Sequence, residues 1–221
     1  MSRLTKQQIL EILNHPNLEL SGFQFSDEMI GRFQNFCSIL EKWNEKINLT
    51  SEKNTLSILE KHVFDSLQYL RWLDPSHKTL DIGSGGGFPG IPIKIIHPGL
   101  DLTLLESQRK RCNFLREAIR SLKLEKIEVV EGRAEKISGQ ASFSGGFDRV
   151  LFRGFSSFET CLTIGLPFLK NNGIILLKKG HDEMPDAVQK TLKYARIIES
   201  KEVEGFEGQS SLMIVIEKCS T

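Results

Sequence analysis

The feature that most constrains this chain is the stretch LDIGSGGGFPGIP, Leu80 to Pro92, which sets five glycines and two prolines directly behind a short apolar run. A strand that runs into a glycine-rich turn and then a helix belongs to an open α/β sheet, whose ligands bind outside the carboxyl ends of the strands. Gly85, Gly87 and Gly90 satisfy the dinucleotide pattern G-x-G-x-x-G. That pattern starts at the strand end, however, and the glycine standing there is Gly83. Counted from Gly83, the third glycine would fall at position 88, which is Phe88. In register, the loop is an acid, Asp81, followed by three alternate glycines, Gly83, Gly85 and Gly87. Glycines let a backbone take positive φ and pass close to a ligand. Pro89 and Pro92 then suit the first turn of the next helix.

The surrounding chain supports such a sheet. Up to about residue 70 it is rich in helix formers. DEMIGRFQNFCSILEKWNEKI places Met29, Ile30, Phe33, Phe36, Cys37, Leu40 and Trp43 on one helical stripe behind Ser26, a candidate N-cap. SILEKHVFDSLQYLRWL repeats the pattern with Leu59, Val63, Leu67 and Leu70. From about residue 78, strands and helices alternate. KTLDI, DLTLLES, IEVVEG, FDRVLFRG and GIILLKKG, the last opening on Gly173, are strands. QRKRCNFLREAIRSLKL, with Cys112, Leu115, Ile119 and Leu122 inward, FETCLTIGLPFL, limited by Pro167, and MPDAVQKTLKYA, with Pro185 in its first turn, are helices. RIIESKEVE and SLMIVIEK are two final strands, expected to be antiparallel. The expectation is a helical extension over 1–70, packed on an α/β domain over 71–221.

Composition excludes several classes. The chain has 221 residues, 39% hydrophobic and 26% charged, which is enough for a real core in a single domain. No run approaches the roughly 18 apolar residues of a membrane span, and MSRLTKQQILEIL lacks the apolar core of a signal peptide. A cytosolic protein with no membrane partner is expected. The net charge of +1 neither demands nor excludes a nucleic-acid partner. Cys37, Cys112, Cys161 and Cys219 are scattered without metal-ligand spacing. They are expected to be reduced thiols, mostly buried, and no metal is expected.

Two further elements bear on the ligand. Glu106 ends the second strand, 21 residues past Gly85 (106 − 85), where a carboxylate hydrogen-bonds a ribose diol. GRAEKI, Gly132 to Ile137, follows the third strand, and an Ala-acid pair there, Ala134 and Glu135, can contact an adenine ring and its amine. Loop, acid and post-strand turn in this order resemble class I S-adenosylmethionine-dependent methyltransferases. The resemblance implies a Rossmann-like, seven-stranded, mostly parallel sheet with helices on both faces. It makes S-adenosyl-L-methionine the cofactor.

The end of the fourth strand bears on the methyl acceptor. FRGFSS, Phe152 to Ser157, lacks the N/D-P-P-Y/F-type motif of amino-methylating enzymes. Cys161 lies in FETCLT, a helical context that suits a packed thiol better than a nucleophile. No nucleophile and no obvious general base remain, which is consistent with an acceptor such as guanine N7 whose lone pair is already free.

EKWNEKINLTSEKN (residues 41–54), KHVFDSL (61–67), the glycine loop, LESQRKRCNFL, GRAE and Arg153 together resemble the bacterial RsmG family, also called glucose-inhibited division protein B, over about residues 30 to 217. That resemblance implies methylation of a guanine N7 in the 16S ribosomal RNA of the small subunit. It puts Gly83 and Phe88 at cofactor-binding positions of the loop, and Ala134 and Glu135 at the adenine. It also implies that Arg153 lies in the site and that His62, Asp65 and Ser66 pack beside the cleft. Lys178, Lys179 and Gly180 fall on the family's L-K-G stretch, with register favouring Lys179 in the site. Arg153 and one of these lysines would align the substrate or anchor the cofactor carboxylate; which does which stays open. Two small departures are Gly154, where the family usually has Ala, and Ser84, often Thr.

The remaining signals have plainer readings beside them. Arg109, Lys110, Arg111, Arg116 and Arg120 suit a solvated helix face, or, with Arg153, Lys178 and Lys179, a positive rim for RNA phosphates. Trp43 and Trp72 suit packing better than base stacking. His62 is either a proton shuttle or a hydrogen-bonded residue that orders the N-terminal helices, the second being expected. A monomer is expected. The competing functions are an NAD-dependent oxidoreductase, which needs the fingerprint in register, and a non-enzymatic RNA-binding module, which predicts no methyl transfer.

Overall fold

A computed structural model describes residues 4–20, 22–181 and 194–219. The expected helix around Pro185 lies outside the described residues. Seven strands, β1 (Lys78–Ile82), β2 (Asp101–Glu106), β3 (Ile127–Glu131), β4 (Phe147–Arg153), β5 (Leu169–Lys179), β6 (Ala195–Glu204) and β7 (Ser210–Lys218), form one sheet. Their order is β3-β2-β1-β4-β5-β7-β6. The β1–β2, β1–β4, β2–β3 and β4–β5 pairings are parallel, whereas β7 runs antiparallel to β5 and β6. The sheet is thus mostly parallel, as expected. The chain order reverses at β1, with β2 to one side and β4 to the other. This is the switch point at which such sheets bind ligands.

Strand alternation sorts the core onto two faces. Leu102, Leu104, Leu151, Leu176, Met213 and Val215 pack on one side with the N-terminal helices and with α5 (Gly90–Ile96) and α6 (Arg109–Leu122). Leu80, Ile82, Leu105, Val150, Phe152 and Ile175 pack on the other, with α7 (Ala134–Ile137) and α8 (Phe158–Gly165).

The N-terminal layer begins with α1 (Lys6–Leu13) and α2 (Asp27–Ile47). The Ser26 side chain accepts from Met29 N, as its sequence position suggested, a cap worth about 1 kcal/mol. Ile30, Phe33, Phe36, Cys37 and Leu40 are buried, and Met29 and Trp43 pack partly buried against the same cluster. Because these residues share one apolar cluster with the sheet, the layer also walls one side of the strand ends.

The next segment departs from the single helix expected. It consists of α3 (Thr55–Ser57), a π-helical turn over Ile58–Val63, α4 (Phe64–Leu67) and a 3-10 turn over Gln68–Trp72. Its apolar pairs, Ile58–Leu59 and Val63–Phe64, recur five residues apart, and all four are buried. A π turn brings residues five apart onto one face. It thereby keeps both pairs inside while His62 and Asp65, on the other side, reach the sheet. Ser66 Oγ donates to the His62 carbonyl at 2.6 Å. β5 also begins earlier than Gly173, at Leu169; Asn172 has positive φ, and the register with β4 shifts between Phe147 and Arg149.

No helix among the described residues is long and apolar enough to cross a membrane. Cys37, Cys112 and Cys161 are buried free thiols. Cys161 sits in the α8 face of the core, as its helical context indicated.

Candidate functional site

The loop after β1 folds back on itself. Gly83 N donates to the Leu105 carbonyl at 2.8 Å, and Gly87 N and Phe88 N both donate to the Ser84 carbonyl, at 2.7 and 3.0 Å. Gly83 and Gly87 adopt φ of +75° and +84°, so the register counted from the strand end identifies the turn glycines. Gly90, part of the shifted fingerprint, has a different task. A Cβ there would lie 2.6 Å from Leu104 Cδ2, so its bare backbone lets α5 approach the sheet.

Two carboxylates brace this loop. Glu106 Oε2 accepts from Gly85 N at 3.0 Å and its Oε1 from Gln108 N at 2.8 Å, which ties the loop to the end of β2. Asp81 is fully buried beneath the turn, with Oδ2 accepting from Gly90 N at 3.0 Å. Its Oδ1 is buried without a hydrogen-bond partner. Burial pushes the Asp81 carboxyl up to about 8, against the opposing effects of the Gly90 N–H and Ser84.

Beyond the loop, a narrow cavity of about 150 Å³ is lined by Ile82, Gly83, Leu105, Ala134, Glu135 and Phe155, among others. The structure therefore brings Gly83, Ala134 and Glu135 together, with Glu106 one hydrogen bond away through Gly85. Phe155 was not anticipated. Its ring lies across Gly83 so closely that a Cβ added to that glycine would sit 2.4 Å from Phe155 Cδ2. The ring also packs on Phe152, with centroids 5.3 Å apart.

A second, polar cavity of about 450 Å³ opens at the ends of β4 and β5, lined by His62, Asp65, Arg153, Lys178 and Lys179 among others. Asp65 binds two cations, Arg153 Nη2 at 3.2 Å and Lys178 Nζ at 2.7 Å. Lys178 also donates to Gln68 Oε1 at 2.8 Å. Arg153 Nη2 donates to His62 Nδ1 at 2.8 Å. Beneath them lies the Phe88 ring, its centroid 4.9 Å from that of His62 and 5.5 Å from the Arg153 guanidinium carbon. Burial first, and the Arg153 charge second, hold the His62 imidazole down at about 4, so it is neutral at physiological pH. Burial also lowers the Lys178 ammonium, an effect that Asp65 opposes.

A glycine loop, a strand-end acid and a post-strand turn thus stand beside a polar cavity at the switch point of a 3-2-1-4-5-7-6 sheet. The family model described as GidB, rRNA small subunit methyltransferase G, matches residues 29–213. The chain belongs to that family. Among its relatives, the ribosomal RNA small subunit methyltransferase G of Desulfitobacterium hafniense is 35% identical, over 100% of this chain and 89% of the relative. That of Streptococcus gordonii is 32% identical, over 97% and 92%. Solved structures agree on the fold. Pyrococcus horikoshii TYW2, in complex with MeSAdo, superposes with a TM-score of 0.53 at 13% identity, over 91% of this chain and 67% of that one. The precorrin-6y C5,15-methyltransferase of Geobacter metallireducens gives 0.50 at 20% identity, over 78% and 91%.

In this member of the rRNA small subunit methyltransferase G family, the site candidates divide between the two cavities and the loop beneath them. Phe88 is buried, and its ring meets Phe36, His62 and Arg153. Asp81 lies under the loop and does not line that cavity. Lys178 and Lys179 point to opposite faces of β5, and it is Lys178 that joins Asp65, while Lys179 Nζ donates to the Ser156 carbonyl. The strand-end cations do not form an outward rim with α6. Arg153 and Lys178 are only 17% and 10% exposed and share Asp65, whereas Arg109 and Lys110 are exposed. Arg111 is half-buried, with Nε unpartnered. Trp43 packs edge-on against Phe114, and Trp72 donates to Glu199 at 2.8 Å.

Proposed function

We propose that this chain transfers a methyl group from S-adenosyl-L-methionine to N7 of a guanine in the 16S ribosomal RNA of the small subunit. The narrow cavity would be the cofactor side and the polar cavity the acceptor side. The observation that carries this reading is that the two acid–base candidates of the polar cavity are already committed. His62 spends its Nδ1 lone pair on Arg153, and Asp65 is held by Arg153 and Lys178. An acceptor that must lose a proton finds no free base in that cluster. Guanine N7 has a lone pair and no proton to lose, so alignment and electrostatics suffice.

The residues fit the cofactor. Gly83 presents bare main chain to the cavity and would receive the amino-acid end, together with Gly85 and Gly87. Glu106 accepts from the loop through Oε2 and from Gln108 N and Ser107 Oγ through Oε1, and Oε2 keeps an acceptor site for a ribose diol. The apolar slot between Leu105 and Ala134 suits a flat ring, with Glu135 at its edge to accept from an exocyclic amine. When bound, S-adenosyl-L-methionine supplies an electrophilic methyl on a sulfonium centre. Arg153 stands on the acceptor side of Phe88 and would align the guanine or its phosphate, with Lys179 at the same cavity. Asp81 and Phe88 support the loop and Arg153 from below. Asp65 supplies a fixed negative charge near the methylated base, which becomes cationic. On this reading the chain acts as a monomer on a ribosomal substrate in the cytoplasm.

The test is transfer of radiolabelled methyl from S-adenosyl-L-methionine to small subunits, or to their RNA, from a strain lacking this chain. Label on one guanine, with the backbone cleavable there after borohydride and aniline treatment, is expected. Label on another atom, or none, overturns the reading.

A further inference from the structure

The stretch WNEKINLT, from Trp43 to Thr50, takes no part in the chemistry proposed above, yet its polar groups run straight to the site. Asn44, near the end of α2, accepts from Leu49 N at 2.6 Å and Thr50 N at 2.9 Å, and donates to the Glu52 carbonyl at 2.8 Å. One side chain thus pins the chain at three points just after Asn48, whose φ of +49° turns it out of the helix. The pinned loop aims Thr50 Oγ1 at His62 Nε2. The same oxygen accepts from Glu52 N at 3.2 Å.

The proton positions follow from the donor inventory. An arginine guanidinium only donates, so His62 Nδ1, 2.8 Å from Arg153 Nη2, presents its lone pair. The ring proton of a neutral imidazole then resides on Nε2, and Thr50 Oγ1 accepts it. The hydroxyl's two acceptor sites are thereby used, by His62 and by Glu52 N. The charged groups facing His62 are Arg153, Asp65, Glu52 and Lys61; burial, Arg153 and Lys61 keep the ring neutral against the opposing pull of Asp65 and Glu52.

We propose that Asn44 and Thr50 are positioning residues for the methyl transfer. They hold His62 in its Nε2–H tautomer, and the Nδ1 lone pair so exposed fixes the Arg153 guanidinium over Phe88 at the mouth of the acceptor cavity. His62 is then an acceptor for arginine and not a proton shuttle, since both its nitrogens are occupied. This rests on the acceptor-side placement of Arg153, but the tautomer is testable whatever base is methylated.

The experiment uses the full chain labelled with ¹⁵N-histidine, observed through long-range ¹H–¹⁵N couplings, in wild type, Thr50→Val and Thr50→Ser. The wild type should show His62 as a neutral Nε2–H tautomer at pH 7, unchanged down to about pH 5. Thr50→Val should mix the tautomers and lower kcat tenfold or more, as a small misplacement of an aligning group does. It should leave affinity for S-adenosylhomocysteine within about twofold, and Thr50→Ser should restore both tautomer and kcat. An Nδ1–H tautomer or a charged ring at pH 7 overturns the proposal. So does Thr50→Val with full activity, or loss of cofactor affinity in step with kcat, which would mark Thr50 as merely structural. Wild-type chain with the expected tautomer but no methyl on guanine N7 would sink the proposed function and spare the relay.

Discussion

The two cavities at the end of the sheet are built differently. The polar one is finished: Asp65, Arg153, Lys178 and His62 satisfy one another over the Phe88 ring. The narrow one is looser: the Phe155 ring lies across the bare Gly83 backbone, and the glycine loop behind it keeps Asp81 Oδ1 and Arg111 Nε buried without partners. A preorganised electrostatic site has no reorganisation left to pay at the moment of reaction. The narrow cavity instead carries a partly exposed ring, Phe155, in its wall over Gly83. The difference suits one side that aligns a bulky RNA base and another that admits a small molecule first.

The largest expected effect breaks the narrow side outright. Gly83→Asp puts a Cβ into the Phe155 ring, strains a residue at φ +75° and adds a charge beside Glu106. Binding of S-adenosylhomocysteine should fall at least a thousandfold by calorimetry; unchanged affinity removes the cofactor from this cavity. On the polar side, Asp65→Asn leaves Arg153 and Lys178 without their shared anion. We expect kcat to drop about a hundredfold, since aligning groups lose their fixed geometry, while cofactor affinity changes less than about threefold. A matching loss of cofactor affinity would move Arg153 to the cofactor side.

The sheet was legible because its strands are short apolar runs ended by sharp punctuation. KTLDI, IEVVE and FDRVLFR each meet a glycine, Gly83, Gly132 and Gly154, at the residue after the strand stops. α2 was legible from a stripe at 3.6-residue spacing. The π turn was not, because the five-residue recurrence of Ile58–Leu59 and Val63–Phe64 passes for a helix with extra apolar residues. Lys94 gave no signal at all in IPIKII. It is buried, and its Nζ donates to the carbonyls of Pro98, Leu100 and Lys126. In the site, the loop register was legible, since a strand end dictates where the turn must begin. Which side each residue turned to was not. Strand alternation says that Lys178 and Lys179 part, but only the packed helical layer decides that Asp65 waits for Lys178. The same layer, through Phe36 and His62, claims Phe88.

Asp81, beneath the glycine loop, offers a pH test of the turn between the two cavities. Its folded-state value, about 8, lies above the ordinary carboxyl value of the unfolded chain. Between about pH 4 and pH 8 the folded state therefore binds more protons than the unfolded one at this residue, so its contribution to stability falls as pH rises and levels off above 8. Asp81→Asn keeps an oxygen for Gly90 N and cannot ionise. Its stability relative to wild type should climb across that window, by up to about 1.4 kcal/mol per pH unit. Urea midpoints for both proteins at several pH values read the difference directly, and other titrating groups cancel in it. A flat difference would mean that Asp81 is ionised in the fold.

The smallest effect sharpens the contrast most. Phe155 is 37% exposed, follows Gly154 at φ +59°, and covers Gly83. If its ring must leave before the cofactor enters, the observed affinity is reduced by the fraction of chains in which the cavity is open. Phe155→Ala removes that penalty, and affinity for S-adenosylhomocysteine should rise two- to fivefold, an effect of that small size because the ring is already half in solvent. A ring that instead stacks on the bound cofactor predicts the opposite sign, since losing such a contact costs about 1 kcal/mol, roughly fivefold weaker binding. The sign of one calorimetric difference therefore decides whether Phe155 is the occupant that the cofactor replaces or a wall of its finished site.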